Sequence, residues 1–137
     1  MQNKKILYSF DKQYKAEVFC AEPDRYKEIE KLSKSTDELI SLGSNLSYNA
    51  AGFGDNILSL SIKKFNRVLD FDSRKKEITI EAGATLGELL NYTLQHNLWI
   101  PQLPGYPDIT IGGAVAANSH GKSCAHHGTI RNSIEKI

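Results

Sequence analysis

Apolar positions recur along the chain at two different spacings. Ala16-Glu17-Val18-Phe19-Cys20-Ala21 is a short, mostly apolar run that predicts a strand. Pro23 suits the first turn of a following helix, where its missing N–H costs nothing, and Tyr26, Ile29 and Leu32 continue at helical spacing with Lys and Glu between them. Leu39-Ile40-Ser41-Leu42 predicts the next strand, ending at Gly43, and Ile57-Leu58-Ser59-Leu60 resumes strand character. The polar, glycine-bearing loop between them, Gly43 to Asn56, is long for a simple connection, and long ordered loops are usually functional. Val68, Leu69 and Phe71 pair with Ile78 and Ile80 as the arms of a hairpin whose turn is Ser73-Arg74-Lys75-Lys76. Thr85 stands three residues before Glu88, a capping box, and Leu86, Leu89, Leu90 and Leu94 mark the buried face of the helix it opens. Trp99, Pro101, Pro104 and Pro107 enforce an irregular segment. The very small Gly112-Gly113-Ala114-Val115-Ala116-Ala117 then predicts a short helix that can be approached closely. This order indicates an α+β fold and not the regular alternation of a doubly wound sheet.

Composition narrows the class. At 137 residues, with 40% apolar and 24% charged side chains, the chain has the size and apolar content for a buried core, which argues against disorder. Seventeen basic residues against 16 acidic ones give a net charge of +1, so nucleic acid is not expected as the main partner. Cys20 and Cys124 form no CxxC pair. No apolar run approaches the roughly 20 residues of a membrane span, and Asp11, Lys12 and Lys15 interrupt any signal-peptide core. No transmembrane segment and a cytoplasmic location are therefore expected.

Three stretches could carry chemistry. Gly43-Ser44-Asn45-Leu46-Ser47-Tyr48-Asn49 and the residues up to Asp55 offer consecutive backbone amides, hydroxyls and glycines, the parts of a phosphate cradle, although an ordinary polar loop would look the same. The loop has no GxGxxG spacing and leads into a strand, so it is not a Rossmann fingerprint, and it lacks the Gly-Lys-Ser/Thr ending of a P-loop. The second stretch runs from Pro104 to Gly121. Thr110 to Gly113 would open the small helix and present free N–H groups and the positive dipole end to an anion, while close helix packing is the alternative. His120, Cys124, His126 and His127 supply metal donors, but their spacing fits no usual zinc pair, and polar loop residues beside a ligand are the favoured reading. His96 is most simply a helix-terminal residue and Cys124 an ordinary thiol.

Read together, these stretches resemble the flavin-binding domain of the vanillyl-alcohol oxidase / p-cresol methylhydroxylase superfamily. The resemblance rests on Gly43-Ser44-Asn45-Leu46-Ser47-Tyr48, Leu58-Ser59-Leu60 with Phe65-Asn66-Arg67-Val68-Leu69, Glu81-Ala82-Gly83-Ala84-Thr85-Leu86-Gly87-Glu88-Leu89, Thr110-Ile111-Gly112-Gly113-Ala114 and Asn118-Ser119-His120-Gly121-Lys122. His120-Gly121-Lys122 and Gly128 are most similar to the sugar and alcohol oxidoreductases, the decaprenylphosphoryl-ribose branch above all. The resemblance implies a PCMH-type α+β fold of two small α/β subdomains with FAD between them. The first would cover about residues 1–72; the second, about 73–137, would be incomplete, and the cap domain absent. It implies that Ser41, Leu42, Gly43, Ser44, Asn45, Leu46, Ser47, Tyr48 and Asn49, on to Ala51, hold the pyrophosphate. Gly105, Thr110, Ile111, Gly112, Gly113, Ala117, Asn118, Ser119, His120 and Gly121 would contact the diphosphate, ribityl chain and flavin ring. Where some family members carry a covalently linked histidine this chain has Leu46, which implies noncovalent FAD.

The activity implied is oxidation of a CH–OH carbon of a sugar-like, alditol, lactone or polyprenyl-phosphoribose substrate by hydride transfer to flavin N5. No catalytic residue and no metal site are assigned within these residues, and the chain alone is expected to lack turnover. The expected partners are FAD, the cap domain or remainder of the enzyme, and a second copy through an exposed sheet edge. Gly43-Ser44-Asn45-Leu46 is also similar to UDP-N-acetylenolpyruvylglucosamine reductase, and a non-catalytic nucleotide-binding module is the further alternative.

Overall fold

Leu58–Ser61 is the strand on which the first half of the chain is built, and its first three residues are all buried. The computed structural model describes residues 2–137 and divides into two units, one ending at Phe65 and one running Asn66–Ile137. In the first, β1 (Gln2–Tyr8), β2 (Lys15–Ala21), β3 (Leu39–Leu42) and β4 (Leu58–Ser61) form a four-stranded sheet in the order β1-β2-β4-β3. β1 is antiparallel to β2, whereas β2 and β3 both run parallel to β4.

The expected strands are present, and β1 is an addition. Its Asn3-Lys4-Lys5 start breaks the apolar alternation, which an edge strand tolerates because one of its faces meets water. Helix α1 (Tyr26–Ser35) starts three residues after Pro23, which is buried ahead of the helix and not in its first turn. Ile29 and Leu32 of α1 pack with Leu39 on Ala21, Leu58 and Leu60. Ser59 is fully buried among these strands, and its hydroxyl donates to Gly52 O at 3.0 Å.

The second unit opens with the hairpin of β5 (Val68–Asp72) and β6 (Glu77–Ile80). Asp72 Oδ1 accepts the amides of Arg74 and Lys75 at 2.9 and 3.1 Å, which closes the basic turn. Helix α2 (Leu86–Leu94) begins on the expected capping box: the Thr85 hydroxyl accepts from Glu88 N at 3.1 Å and Thr85 N donates to Glu88 Oε2 at 2.7 Å. His96 lies beyond α2, stacked against Phe71 at 4.4 Å and Tyr92 at 5.2 Å, so its place is set by ring packing. Helix α3 (Ile111–Ala116), the four-residue α4 (Cys124–His127) and a 3₁₀ turn (Ile130–Ser133) complete the unit. Leu86, Ala114 and Ile130 form its core, flanked by Leu103, Ile109, Ile111 and Ile134. Among the described residues, no helix is long and apolar enough to cross a membrane.

One charge lies inside this unit. Glu81 has 3% of its side chain exposed and receives Arg67 Nη2 at 2.8 Å, Arg67 Nε at 3.1 Å and Arg67 N at 2.7 Å. Glu81 N donates back to Arg67 O at 3.0 Å. A buried carboxylate is tolerated only when paired in this way. Arg67→Met should therefore cost about 3 kcal/mol in urea unfolding, and Arg67→Met with Glu81→Leu should recover much of that loss. An unchanged midpoint in the single variant would show that the pair does not hold β5 to the segment after β6.

Candidate functional site

Adjacent parallel strands are usually joined through a helical crossover, yet residues 43–57 return from β3 to β4 without one. The loop instead packs on its own sheet. A Cβ at Gly52 would lie 2.7 Å from Leu42 Cδ1 and 3.4 Å from Ser41 O, so only glycine fits this floor, and Phe53 beside it is buried. Asn45 and Ala50 take positive φ of 57° and 52°. Among the described residues, none of the amides from Gly43 to Asn49 donates a hydrogen bond. Residues 43–47 are half-buried, and Tyr48 and Asn49 are exposed.

The loop is held from outside, by the β1–β2 hairpin. Phe10 N donates to Ser47 O at 3.0 Å, Asn45 Nδ2 donates to Tyr8 O at 2.8 Å, and the Phe10 and Tyr48 rings meet edge to face at 5.2 Å. The Ser47 hydroxyl bonds Asn49 Oδ1. Of the two strand residues expected at this site, Ser41 is exposed and Leu42 is buried at the end of β3, its carbonyl taken by Ile62 N at 3.0 Å.

The second stretch differs from expectation in one physical respect. Thr110 does cap α3, its hydroxyl accepting from Gly113 N at 3.2 Å. The amides of Ile111 and Gly112 are not free, however: they donate to Ala84 O at 2.7 Å and Ala82 O at 2.8 Å. In return Leu86 N and Gly87 N of α2 donate to Ile109 O and Pro107 O, both at 2.8 Å. Thr85 and Thr110 face each other across this antiparallel bridge, so each helix start satisfies the other. The N–H groups of Ile111, Gly112 and Gly113, expected to be free, are thus consumed inside the fold.

What this stretch leaves open is a surface of small residues. Gly113, Ala117, Asn118 and His120 are exposed, and Asn118 is left-handed at φ 45°. A Cβ at Gly105 would meet nothing within 4 Å, and one at Gly113 only the Thr110 hydroxyl at 3.0 Å. Ser119 Oγ is buried without a hydrogen-bond partner, an expensive state for a hydroxyl unless something bound to the protein completes it. His120 Nδ1 lies 3.1 Å from Gly121 O. Gly121 is buried, and a Cβ there would stand 2.7 Å from Leu103 O and 3.0 Å from Leu103 N.

Cys124, His126 and His127 are exposed on α4, and no three His, Cys, Asp or Glu side chains converge on a metal-sized centre among the described residues. The role of Tyr8 and Phe10 in holding the first loop escaped sequence reasoning. Their only signal was an apolar Ile6-Leu7-Tyr8 run followed by Phe10, without strand alternation. The glycine contacts separate two kinds of position. Gly121→Ala should destabilise by about 1–3 kcal/mol through overpacking against backbone, while Gly105→Ala should stay within about 0.5 kcal/mol. Thermal unfolding of both variants checks this, and equal melting temperatures would contradict it.

Comparison with known proteins places the chain among flavoproteins. The family model described as FAD binding domain matches residues 15–137. Decaprenylphosphoryl-beta-D-ribose oxidase of Mycolicibacterium smegmatis is 32% identical over 90 residues, 62% of this chain and 20% of that protein. L-gulonolactone oxidase of Mus musculus is 36% identical over 63 residues, 46% of this chain and 14% of that protein. The chain therefore spans a fifth or less of the length of these relatives. Cholesterol oxidase from B. sterolicum superposes with a TM-score of 0.72 at 17% identity, covering 88% of this chain and 25% of that one. Alkyldihydroxyacetonephosphate synthase gives the same TM-score, 0.72, at 19% identity, with 92% and 27% covered. At those identities the likeness shows the shared fold.

Proposed function

This chain belongs to the FAD binding domain family of the PCMH-type flavoproteins, and on that premise we propose that it holds FAD noncovalently for an oxidoreductase acting on a CH–OH carbon. The observation that carries the reading is the unengaged row of amides from Gly43 to Asn49. Such a row suits a pyrophosphate, because several N–H groups share a diffuse negative charge without a side-chain cation. The residues fit the group in two further respects. Ser119 Oγ is an orphaned hydroxyl, and Gly105 lacks a side chain where a Cβ would meet nothing within 4 Å, so no packing of the chain itself explains the glycine.

In this reading Ser41 to Asn49 hold the pyrophosphate through their backbone, with buried Leu42 as support. Gly105, Thr110 to Gly113 and Ala117 to Gly121 lie against the rest of the cofactor. Because the amides of Ile111, Gly112 and Gly113 are already bonded, that second stretch contributes a close, side-chain-free surface and the Ser119 hydroxyl, not a helix dipole. FAD, when bound, supplies the hydride-accepting chemistry; the protein supplies binding, orientation and exclusion of water. Leu46 offers no atom that could bond to the flavin, which is why the attachment is noncovalent.

The substrate class proposed is a sugar-like, lactone or polyprenyl-phosphoribose alcohol. It rests on the relatives named decaprenylphosphoryl-beta-D-ribose oxidase and L-gulonolactone oxidase. The groups that select and deprotonate that substrate are assigned to polypeptide outside these residues. The protein mixed with FAD should retain the flavin absorption bands through gel filtration, and acid precipitation should leave all the colour in the supernatant. Failure to retain FAD would remove the reading, and a yellow pellet would remove the noncovalent assignment. Adding a lactone or alditol to the loaded 137-residue chain should leave the flavin bands unbleached; bleaching would overturn the assignment of turnover to other polypeptide.

A further inference from the structure

The tip of the β1–β2 hairpin, residues 8–14, lies outside the stretch matched by the family, which begins at residue 15. The tip is nonetheless a built structure. Ser9, 2% exposed, donates from its hydroxyl to Asp11 Oδ1 at 2.7 Å and accepts Tyr14 N at 3.0 Å. Ser9 N donates to Tyr14 O at 2.9 Å, and Gln13 N donates to Asp11 Oδ1 at 3.1 Å. The Ser9 hydroxyl, with the Gln13 amide second, holds the Asp11 carboxyl below the usual range.

Among its contacts within the described residues, this tip meets the loop after β3. It takes the Ser47 carbonyl with Phe10 N, offers the Tyr8 carbonyl to Asn45 Nδ2, and packs the Phe10 ring edge-on against Tyr48. These contacts occupy one carbonyl and two side chains of the loop, and leave the amides of residues 43–49 without partners. They bear on a loop in which Asn45 takes φ 57°, a left-handed conformation that asparagine adopts more readily than most residues.

We propose that the N-terminal hairpin tip is a built-in clamp that pre-organises the cofactor loop, with Phe10 and Asn45 as positioning residues that act through the loop backbone. The inference rests on the FAD reading for its purpose but not for its geometry. A loop ordered before binding does not lose that freedom on binding, so loosening the clamp appears as lost affinity. Phe10 belongs to neither candidate stretch, which makes it the informative position.

The test uses the full chain and FAD itself. Phe10→Ala should raise the Kd for FAD about three- to tenfold, the value of one aromatic pair. Phe10→Tyr, which keeps the ring and the main-chain bond, should restore parental affinity. Asn45→Gly tolerates the positive φ and loses the donor to Tyr8, so it should cost about two- to tenfold. If Phe10→Ala does not fold, Asn45→Gly and Phe10→Tyr carry the comparison. Without FAD, NMR order parameters for residues 43–49 should fall in Phe10→Ala and Asn45→Gly while those of β3 and β4 stay parental. Unchanged order parameters, or unchanged affinity in both weakened variants, overturn the clamp. If the parent chain binds no FAD but the variants still loosen the loop, the FAD reading fails and the clamp stands.

Discussion

Two helices in the second unit complete each other's hydrogen bonding at their starts. Every helix leaves its first amides without intrahelical acceptors, and a buried start must find acceptors elsewhere. Here the first two amides of α2 bond to carbonyls of residues 109 and 107, and those of α3 bond to carbonyls of residues 84 and 82. The third amide of each is taken by its own threonine hydroxyl, Thr85 or Thr110. Neither start is satisfied unless both are present, which ties residues 82–87 and 107–113 into one cooperative element. That element fixes where Gly113 and Ala117 stand and seats Ala114 in the core with Leu86 and Ile130.

The first unit treats its candidate segment in the opposite way. The loop after β3 leaves the amides of residues 43–49 unengaged and is restrained through a carbonyl, an asparagine side chain and an aromatic ring. Its floor is set by Gly52, where a methyl group would collide with Leu42. An ordered loop with open donors is poised for an acceptor in a way that a satisfied helix start is not. Residues 43–49 thus keep donors open, whereas the amides of Ile111, Gly112 and Gly113 are already taken.

Much of the architecture was legible because its signals are local. Thr85 and Glu88 announced α2 three residues apart, Thr110 announced α3, and the alternation of Val68, Phe71, Ile78 and Ile80 announced the hairpin. The motif order from Gly43 to Gly121 carried the family as well. What stayed hidden depends on residues distant in sequence. Nothing in Ile111-Gly112 shows that its amides will be claimed by Ala84 and Ala82. Nothing in Ser9-Phe10 shows that it will meet Ser47. β1 was obscured because an edge strand needs no second apolar face, and Pro23 misled because a residue suited to a helix start also suits the buried bend before one.

Strand β1 also governs how the sheet meets its surroundings. It is the sheet's edge strand and carries Lys4 and Lys5 on opposite faces, Lys4 lying over the Phe19 ring and paired to Glu17 on β2, Lys5 paired to Glu22. An antiparallel ribbon of identical molecules, joined rim to rim, would set ammonium near ammonium at its centre, an arrangement that opposes growth. The same lysines that hid the strand from pattern reading are the kind of charged side chain that makes an exposed strand edge a poor template for pairing.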